Sequence, residues 1–531
     1  MTTTSTDMPV AALVRDLAAL VGRPHVLTAE EDRAFFSHDI SGPAPEPAAC
    51  VAAPGTVEEL ARAVAASTAA GFAVVPRGGG ASYTGGYRPA RARSVLVDTR
   101  RLDRIVEVSP ADMYVTVECG CTWKTLYLAL RERGLRTPFW GPLSGATATV
   151  GGSLSQNAIL WGSARYGVSA ESVLGLEVVL ADGSVLATGS AAGRNAKPFF
   201  RYYGPDLTGL FLGDTGALGI KARATLRLIP LPPAVETASF GFDTDGAMVA
   251  AMAAIARQGL ATECFGMDPV LQHQRMKRAS LAKDLGALKG VVTSQGSLAA
   301  GVIEAAKVVA AGRSFLDGVA YSLHVGTEGR DEVSVRGAID EIRRVCATEG
   351  GREVENTVPK VLRGDPFVPM TTAIGPEGER WLPVHGVVPL SDAAPSWAAV
   401  RALLAERREV FDRQGIVVGV LTATFGSSAF VLEPVFYWPG PRTLYYRRVL
   451  DPADLARFKD FPESPEASVV VAEARQALAR LFLERGAAHL QIGKTYLYRE
   501  GRRPEAWKLL EAVKNAVDPR RLMNPGSLGL D

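Results

Sequence analysis

The sequence predicts an α+β fold assembled from more than one unit, and three observations carry that reading. The chain has 531 residues, more than one hydrophobic core organises, and about 100–200 residues per domain gives two to four units. Residues 41–232 alternate helix-like and strand-like patterns around three glycine-rich stretches. Beyond residue 232 the character changes to long Ala-rich helical segments between strand-like runs.

Residues 1–40 read as a helical lead-in without recognisable chemistry. Pro54-Gly55-Thr56-Val57-Glu58-Glu59 reads as a turn and a capping box, with Thr56 accepting from the Glu59 N–H and Glu59 reaching back to Thr56. That helix runs through Leu60 and Val64 and stops at Gly71. Phe72–Val75 and Val95–Asp98 are apolar strands, and Met113–Glu118 alternates as a half-buried strand does. Trp123, Leu126, Tyr127 and Leu130 fall on one helical face that Gly134 ends. Asp182-Gly183, between Leu176–Leu180 and Val185–Thr188, predicts a hairpin. Ala222–Ile229 is a last strand, closed by Pro230. Residues 41–232 thus form a first domain and 233–484 a second. The second has helices over Ala247–Gly259, Leu298–Gly312 and Trp397–Gly415 and strands over Ala320–Val325 and Phe430–Phe436. Residues 485–531 add a strand-like piece, a helix around Pro504–Val517 and a Pro/Gly-rich end.

Composition excludes several classes. Apolar residues make up 47% and charged residues 21%, as in an ordinary soluble globular protein. A net charge of +2 provides no field that recruits nucleic acid or an anionic membrane. The arginines at 88, 91, 93, 100, 101 and 104 are interleaved with Pro and strand-like residues and read as a solvated face. The five cysteines make no C-x-x-C pair, and Cys119 and Cys121 do not have zinc-ligand or thioredoxin-like spacing. An odd count without a signal peptide fits a reducing compartment, and no run approaches 18 apolar residues. The expectation is a cytoplasmic protein acting on a small molecule, with no membrane span and no metal.

The strongest chemical signal is Pro76-Arg77-Gly78-Gly79-Gly80-Ala81-Ser82-Tyr83-Thr84-Gly85-Gly86, fed directly by a strand. Glycine lets backbone turn sharply and approach a ligand, and consecutive N–H groups then form a nest for phosphate oxygens. No G-x-G-x-x-G lies between strand and helix here, which removes a Rossmann site. Gly493-Lys494-Thr495 resembles the end of a Walker A, but Ala488 stands where its first glycine belongs. A second cluster runs from Gly141 through Gly151-Gly152 to Gly162, Tyr166 and Gly167, and a third is Gly213-Asp214-Thr215-Gly216-Ala217-Leu218-Gly219-Ile220.

Together PRGGGASYTGG, GATATVGGSLSQNAILWGSARYG and PDLTGLFLGDTGALGIKARATLRLIP resemble the three cofactor segments of the vanillyl-alcohol oxidase / para-cresol methylhydroxylase (PCMH) family of FAD proteins. The resemblance spans about 45–232 and returns over about 485–531, where Lys514–Pro519 and Asn524-Pro525-Gly526 are similar to that family's C-terminus. It implies a two-subdomain PCMH-type FAD-binding domain, a cap domain over the substrate and a tail that returns to the flavin. Pro76, Arg77, Gly78, Gly79, Gly80, Ser82 and Tyr83 would hold the pyrophosphate side of FAD. Pro142, Gly145, Thr147, Gly151, Gly152, Ser155, Gly162 and Tyr166 would run along the ribityl chain and ring. Gly216, Gly219 and Ile220 would line the adenosine side, and Asn524 would reach the flavin from the tail. Family members are often dimers, so a homodimer is a further expectation.

The chain departs from the pattern in places. Its first glycine loop lacks the histidine that tethers FAD in some members, so non-covalent FAD is expected, with His385, Tyr496 or Tyr498 as alternative tethers. Ala488-His489-Leu490-Gln491-Ile492 stands where phenol-oxidising members carry a Tyr-Arg pair, and Gly152-Ser153-Leu154-Ser155-Gln156 where they place an Asp. Tyr83 matches a phenolate-contacting tyrosine of that subgroup. The H-x-G-D-G-N metal pattern of the 2-hydroxy-acid branch is absent.

Flavin chemistry of this type needs a base and a cation near the substrate. His385, His489, Tyr496, Tyr498 and Tyr83 are the catalytic candidates, and Arg499, His324 and Arg363 the substrate candidates. His25, His38 and His273 read as structural or surface. The implied activity is hydride transfer from a substrate C–H next to oxygen, in an alcohol, hydroxy acid or phenolic benzylic position, to flavin N5. Two alternatives stay open: a non-redox flavoenzyme like alkylglycerone-phosphate synthase, and a flavoprotein that passes electrons to a partner.

Overall fold

The structure is a computed structural model that describes residues 7–281 and 318–531. The helix expected over Leu298–Gly312 lies outside the described residues. Three main sheets organise the rest. The first has the order Val26–Leu27, Cys50–Ala52, Ser94–Asp98, Ala73–Arg77, and its last three strands are parallel. Parallel neighbours need a crossover, and helix Val57–Ala69 supplies one. Thr56 Oγ1 accepts from Glu59 N at 3.1 Å. The returning Glu59 carboxylate takes the Gly55 N–H at 2.7 Å, one residue earlier than the capping box predicts.

The second sheet is antiparallel, in the order Val185–Ala187, Val173–Val179, Ile220–Arg227, Tyr114–Glu118, Ile105–Ser109. Its first two strands are the hairpin that Asp182-Gly183 predicts. The two sheets share a core in which Val74, Val95 and Val97 meet Val179, Ile220 and Ala222. Leu13 and Leu17 of helix Asp7–Val21 enter the same core, each contributing about 1.5–3 kcal/mol by burial. The lead-in therefore packs as part of this unit, and its Val26–Leu27 strand pairs with Cys50–Ala52.

The third sheet has eight antiparallel strands. Seven follow the order Arg352–Val354, Ala234–Phe242, Tyr321–Gly329, Glu263–Met267, Val417–Phe425, Ala429–Trp438, Arg380–Pro383, and Gly386–Pro389 also pairs with Ala429–Trp438. Helices Asp245–Gln258, Glu332–Thr348 and Pro465–Glu484 cover one face of it. The helix expected over Trp397–Gly415 is two helices, Ala393–Ala405 and Arg408–Gln414, broken at Glu406-Arg407. The tail carries helix Pro504–Val517 as expected. Its strand-like piece is reduced to one bridge between Ala488 and Val387. Met523 bridges Val74 in parallel, which returns the C-terminus to the glycine-loop strand. Among the described residues no helix is long and apolar enough to cross a membrane.

Candidate active site

A cavity of about 1130 Å³ opens between the two glycine-rich sheets and the third sheet. That exceeds the usual range of about 300–1,000 Å³ for a single small-molecule site. One wall is the glycine loop. Its carbonyls are turned toward protein: Gly80 O accepts from Tyr87 and Tyr445 hydroxyls at 2.7 and 2.9 Å, Ser82 O from Ile40 N, and Thr84 O from Lys494 N. Among the described residues, none of the backbone N–H groups from Gly79 through Tyr83 has a protein acceptor. Carbonyls held outward and amides left free have the arrangement of an anion nest. Asp39 braces the far end of the loop by accepting the Gly85 N–H at 2.7 Å.

The second wall is brought against the first by missing side chains. A Cβ on Gly79 would lie 1.8 Å from Thr147 O, and one on Gly78 would lie 2.3 Å from Thr149 Oγ1. Gly151, Gly152 and Ser155 follow along this wall, and Gly216, Gly219 and Ile220 close the end. Gln156 Oε1 and Thr215 Oγ1 line the cavity, buried and without a partner among the described residues. Unsatisfied buried polar atoms beside a free N–H nest mark the place of a large polar ligand.

The floor beyond this trough belongs to the third sheet, and register sets its composition. Phe265 pairs with Ala423 and Met267 with Leu421; Ala423 in turn pairs with Val431 and Leu421 with Glu433. All six face the cavity, because alternate strand residues share a face. Glu433 is thus a carboxyl in an apolar floor. Tyr83 donates its hydroxyl hydrogen to Glu433 Oε1 at 3.1 Å, and Gln491 Nε2 donates to the Tyr83 oxygen at 2.7 Å. Burial pushes the Glu433 carboxyl up to about 7, opposed by the Tyr83 bond and the Arg275 charge. Burial and the Glu433 charge push the Tyr83 phenol well above its ordinary value.

Of the expected cofactor residues, Pro76, Gly78, Gly79, Gly80, Ser82, Tyr83, Pro142, Gly151, Gly152, Ser155, Gly216, Gly219 and Ile220 line the cavity. Six do not. Arg77 is buried beneath the loop, its guanidinium 4.8 to 5.2 Å from the rings of Phe35, Phe36 and Tyr87, and it supports the loop from behind. Gly145 accommodates Phe367, whose ring would lie 2.4 Å from an added Cβ. Thr147 turns to the opposite side, near Arg100 and Thr122. Gly162 gives its N–H to Glu263 Oε1 at 3.0 Å, and Tyr166 packs under Arg165. Asn524 is buried behind the walls and clamps them, donating to Gly86 O at 2.7 Å and Thr215 O at 2.6 Å.

The catalytic candidates separate in the same way. Tyr83 and His385 reach the cavity. His385 Nε2 accepts the Leu490 N–H at 2.9 Å, which leaves the proton on Nδ1, 2.9 Å from the Tyr496 oxygen. Burial lowers the His385 pKa to about 3, so the ring is neutral and both nitrogens are engaged. Tyr496 and His489 stack behind it at 3.9 Å between ring centroids and hold the tail to the floor. Tyr498 does not share a face with Tyr496, because residues 493–495 and 498–501 are turns rather than an extended strand; Tyr498 lies under Arg502. Of the substrate candidates, His324 is fully buried one strand beyond Phe265, between Ser239 and Ser322. Arg363 is ion-paired to both Glu263 and Glu328, and Arg499 is exposed over Trp507. None of the three reaches the cavity.

Sequence reasoning missed Glu433, Gln491, Gln272 and Arg275 as site residues. The Ala429–Trp438 run AFVLEPVFYW carried a usable signal, since it holds one charge in an otherwise apolar strand.

A glycine-walled trough with a free N–H nest, joined to an apolar floor that carries Glu433, fits a flavin nucleotide. The FAD binding domain family matches residues 48–189, and the FAD linked oxidases, C-terminal domain, match residues 492–528. The chain thus carries an FAD binding domain and the C-terminal domain of FAD linked oxidases, and its fold is that of PCMH-type FAD-binding structures. It is 33% identical to a probable mitochondrial D-lactate dehydrogenase of Danio rerio over 44% of this chain and 46% of that protein. It is 35% identical to D-2-hydroxyglutarate dehydrogenase of Xanthomonas citri over 36% and 38%. The chain therefore spans less than half the length of these curated relatives. Among solved structures, p-cresol methylhydroxylase with substrate bound superposes with a TM-score of 0.74 at 18% identity, covering 98% of this chain and 97% of that one. Alkyldihydroxyacetonephosphate synthase superposes at 0.67 and 18%, covering 97% and 84%.

Proposed function

We propose that the chain oxidises a substrate at a C–H next to oxygen, with Glu433 as the base that takes the hydroxyl proton. FAD, held by the nest at Gly79–Tyr83 and by the walls at Gly151–Gln156 and Thr215–Ile220, supplies the hydride acceptor when bound. The observation that carries the reading is the Tyr83–Glu433 pair on the apolar floor beside the glycine walls. A carboxyl with a pKa near 7 is matched to proton transfer at neutral pH. Tyr83 occupies Oε1 and leaves Oε2 to face the substrate, while Gln491 fixes the tyrosine. Phe265, Met267, Leu421 and Val431 keep bulk water from the carboxyl. One hydrogen leaves the substrate as the proton on Glu433 and the other as the hydride, which yields the carbonyl.

The test is anaerobic mixing of the FAD-loaded protein with a benzylic alcohol, a set of hydroxy acids and a 4-hydroxybenzylic alcohol. Loss of the visible flavin bands with one of them supports the reading. A flavin that none of them reduces, in a protein that binds FAD, counts against it.

A further inference from the structure

Helix Pro269–Leu281 packs against strand Val417–Phe425 and presents Gln272 and Arg275, one turn apart, to the cavity. Gln272 Nε2 donates to Val319 O at 3.0 Å, which fixes the amide and leaves Oε1 buried without a partner among the described residues. Of the other charged side chains of the cavity, Glu433 lies on the floor and Asp365 is exposed, and the rest are engaged. Glu263 is held by Arg363, Lys221 by Asp214 at 2.5 Å, and Asp454 and Arg457 face each other at 3.4 Å. Arg275 makes no hydrogen bond or ion pair among the described residues, and its charge is felt by Glu433. A guanidinium with no hydrogen bond or ion pair among the described residues, at the edge of an apolar floor, describes an anion subsite.

We propose that Arg275 is the specificity-determining residue of the chamber and takes the carboxylate of the substrate. The proposal rests on the redox reading above, because it names the class of molecule that reading would oxidise: a carboxylic acid with an apolar body. The guanidinium fork matches the two oxygens of a carboxylate better than a single phenolic oxygen. The apolar body lies on Phe265, Met267 and Leu421, with the reacting carbon toward Glu433.

The experiment is calorimetric titration of the FAD-loaded full chain with phenylacetate and, separately, with phenylacetamide, which differ in the head group alone. Phenylacetate binds at least about tenfold more tightly, as for a charge-assisted contact. Arg275→Met brings the two within about twofold, Arg275→Lys keeps a reduced preference, and both variants retain the visible flavin spectrum of the parent. Equal binding of the probes by the unaltered chain, binding of neither, or a preference that survives Arg275→Met overturns the proposal. Binding rather than turnover is read, so the two readings fail separately. A chain that prefers phenylacetate but never has its flavin reduced refutes the redox reading and leaves Arg275 in place.

Discussion

The Tyr83 hydroxyl lies 3.1 Å from Glu433 Oε1 and 2.7 Å from Gln491 Nε2. This joins the glycine loop, the cap sheet and the C-terminal tail at one oxygen. The carboxyl between them is the group through which pH should act. Its surroundings are Tyr83 from the loop, Arg275 from the cap helix, Gln491 from the tail and neutral His385 from the link between strands Arg380–Pro383 and Gly386–Pro389. Flavin reduction should rise with pH through about 7, as the carboxylate forms. Glu433→Gln should slow it by about 10²–10⁴-fold and remove that limb from the pH profile. Stopped-flow flavin bleaching between pH 5 and 9 checks both.

The same group sets a stability trend. Its folded-state pKa is raised above that of the unfolded chain, so folding holds the proton and stability falls as pH climbs from the ordinary carboxyl range through about 7. Glu433→Gln stays neutral throughout. Its midpoint in denaturant should exceed that of the unaltered chain at pH 8, with the gap closing below pH 5.

Asn524 ties the first glycine loop to the third segment through two donated hydrogen bonds at φ +40°. Asn524→Ala loses both at about 1 kcal/mol each and strains the left-handed backbone. FAD affinity should fall by about 30-fold or more, read from flavin fluorescence released on dilution. Asn524→Gly relieves the strain alone and should recover part of the loss.

Gly79→Ala should give a colourless protein. Its Cβ would sit 1.8 Å from Thr147 O, which drives the two glycine walls apart. Gly246→Ala, with nothing within 4 Å of the new atom, should purify with flavin in the amount of the unaltered chain.

Acid precipitation of the FAD-loaded protein should leave the colour in the supernatant. Both ring nitrogens of His385 are engaged, and Tyr496 and Tyr498 do not reach the cavity. Colour in the pellet would establish a tether.

Arg363→Met should destabilise the chain by about 3–5 kcal/mol, because it leaves the buried carboxylates of Glu263 and Glu328 short of a counter-charge. The denaturant midpoint should drop, with no change in preference between the phenylacetate probes.

The glycine loop, the second glycine wall and the third segment were legible because each works through its own contiguous backbone. Strand, turn and missing side chains lie within a dozen or so residues, where local rules apply. Even there the direction of a side chain escaped. Arg77 stands in the loop motif, yet the aromatic rings of Phe35, Phe36 and Tyr87 hold its guanidinium behind the loop. Spacing along the chain records no such three-dimensional preference.

By itself the sequence determined an α+β chain, a trough walled by three glycine segments and a tail that returns to it. The chamber chemistry was decided only by tertiary structure. Tyr83 and Glu433 are 350 residues apart, and Tyr83 and Gln491 are 408 apart. What brings them together is the register of an antiparallel sheet that sets Glu433 beside Leu421 and aims it inward. A shift of one residue would turn that carboxyl to the opposite face. Tertiary packing likewise kept His324, His489 and Tyr496 out of the cavity and left Arg275 on its wall, a choice made across strands and helices rather than by any local pattern.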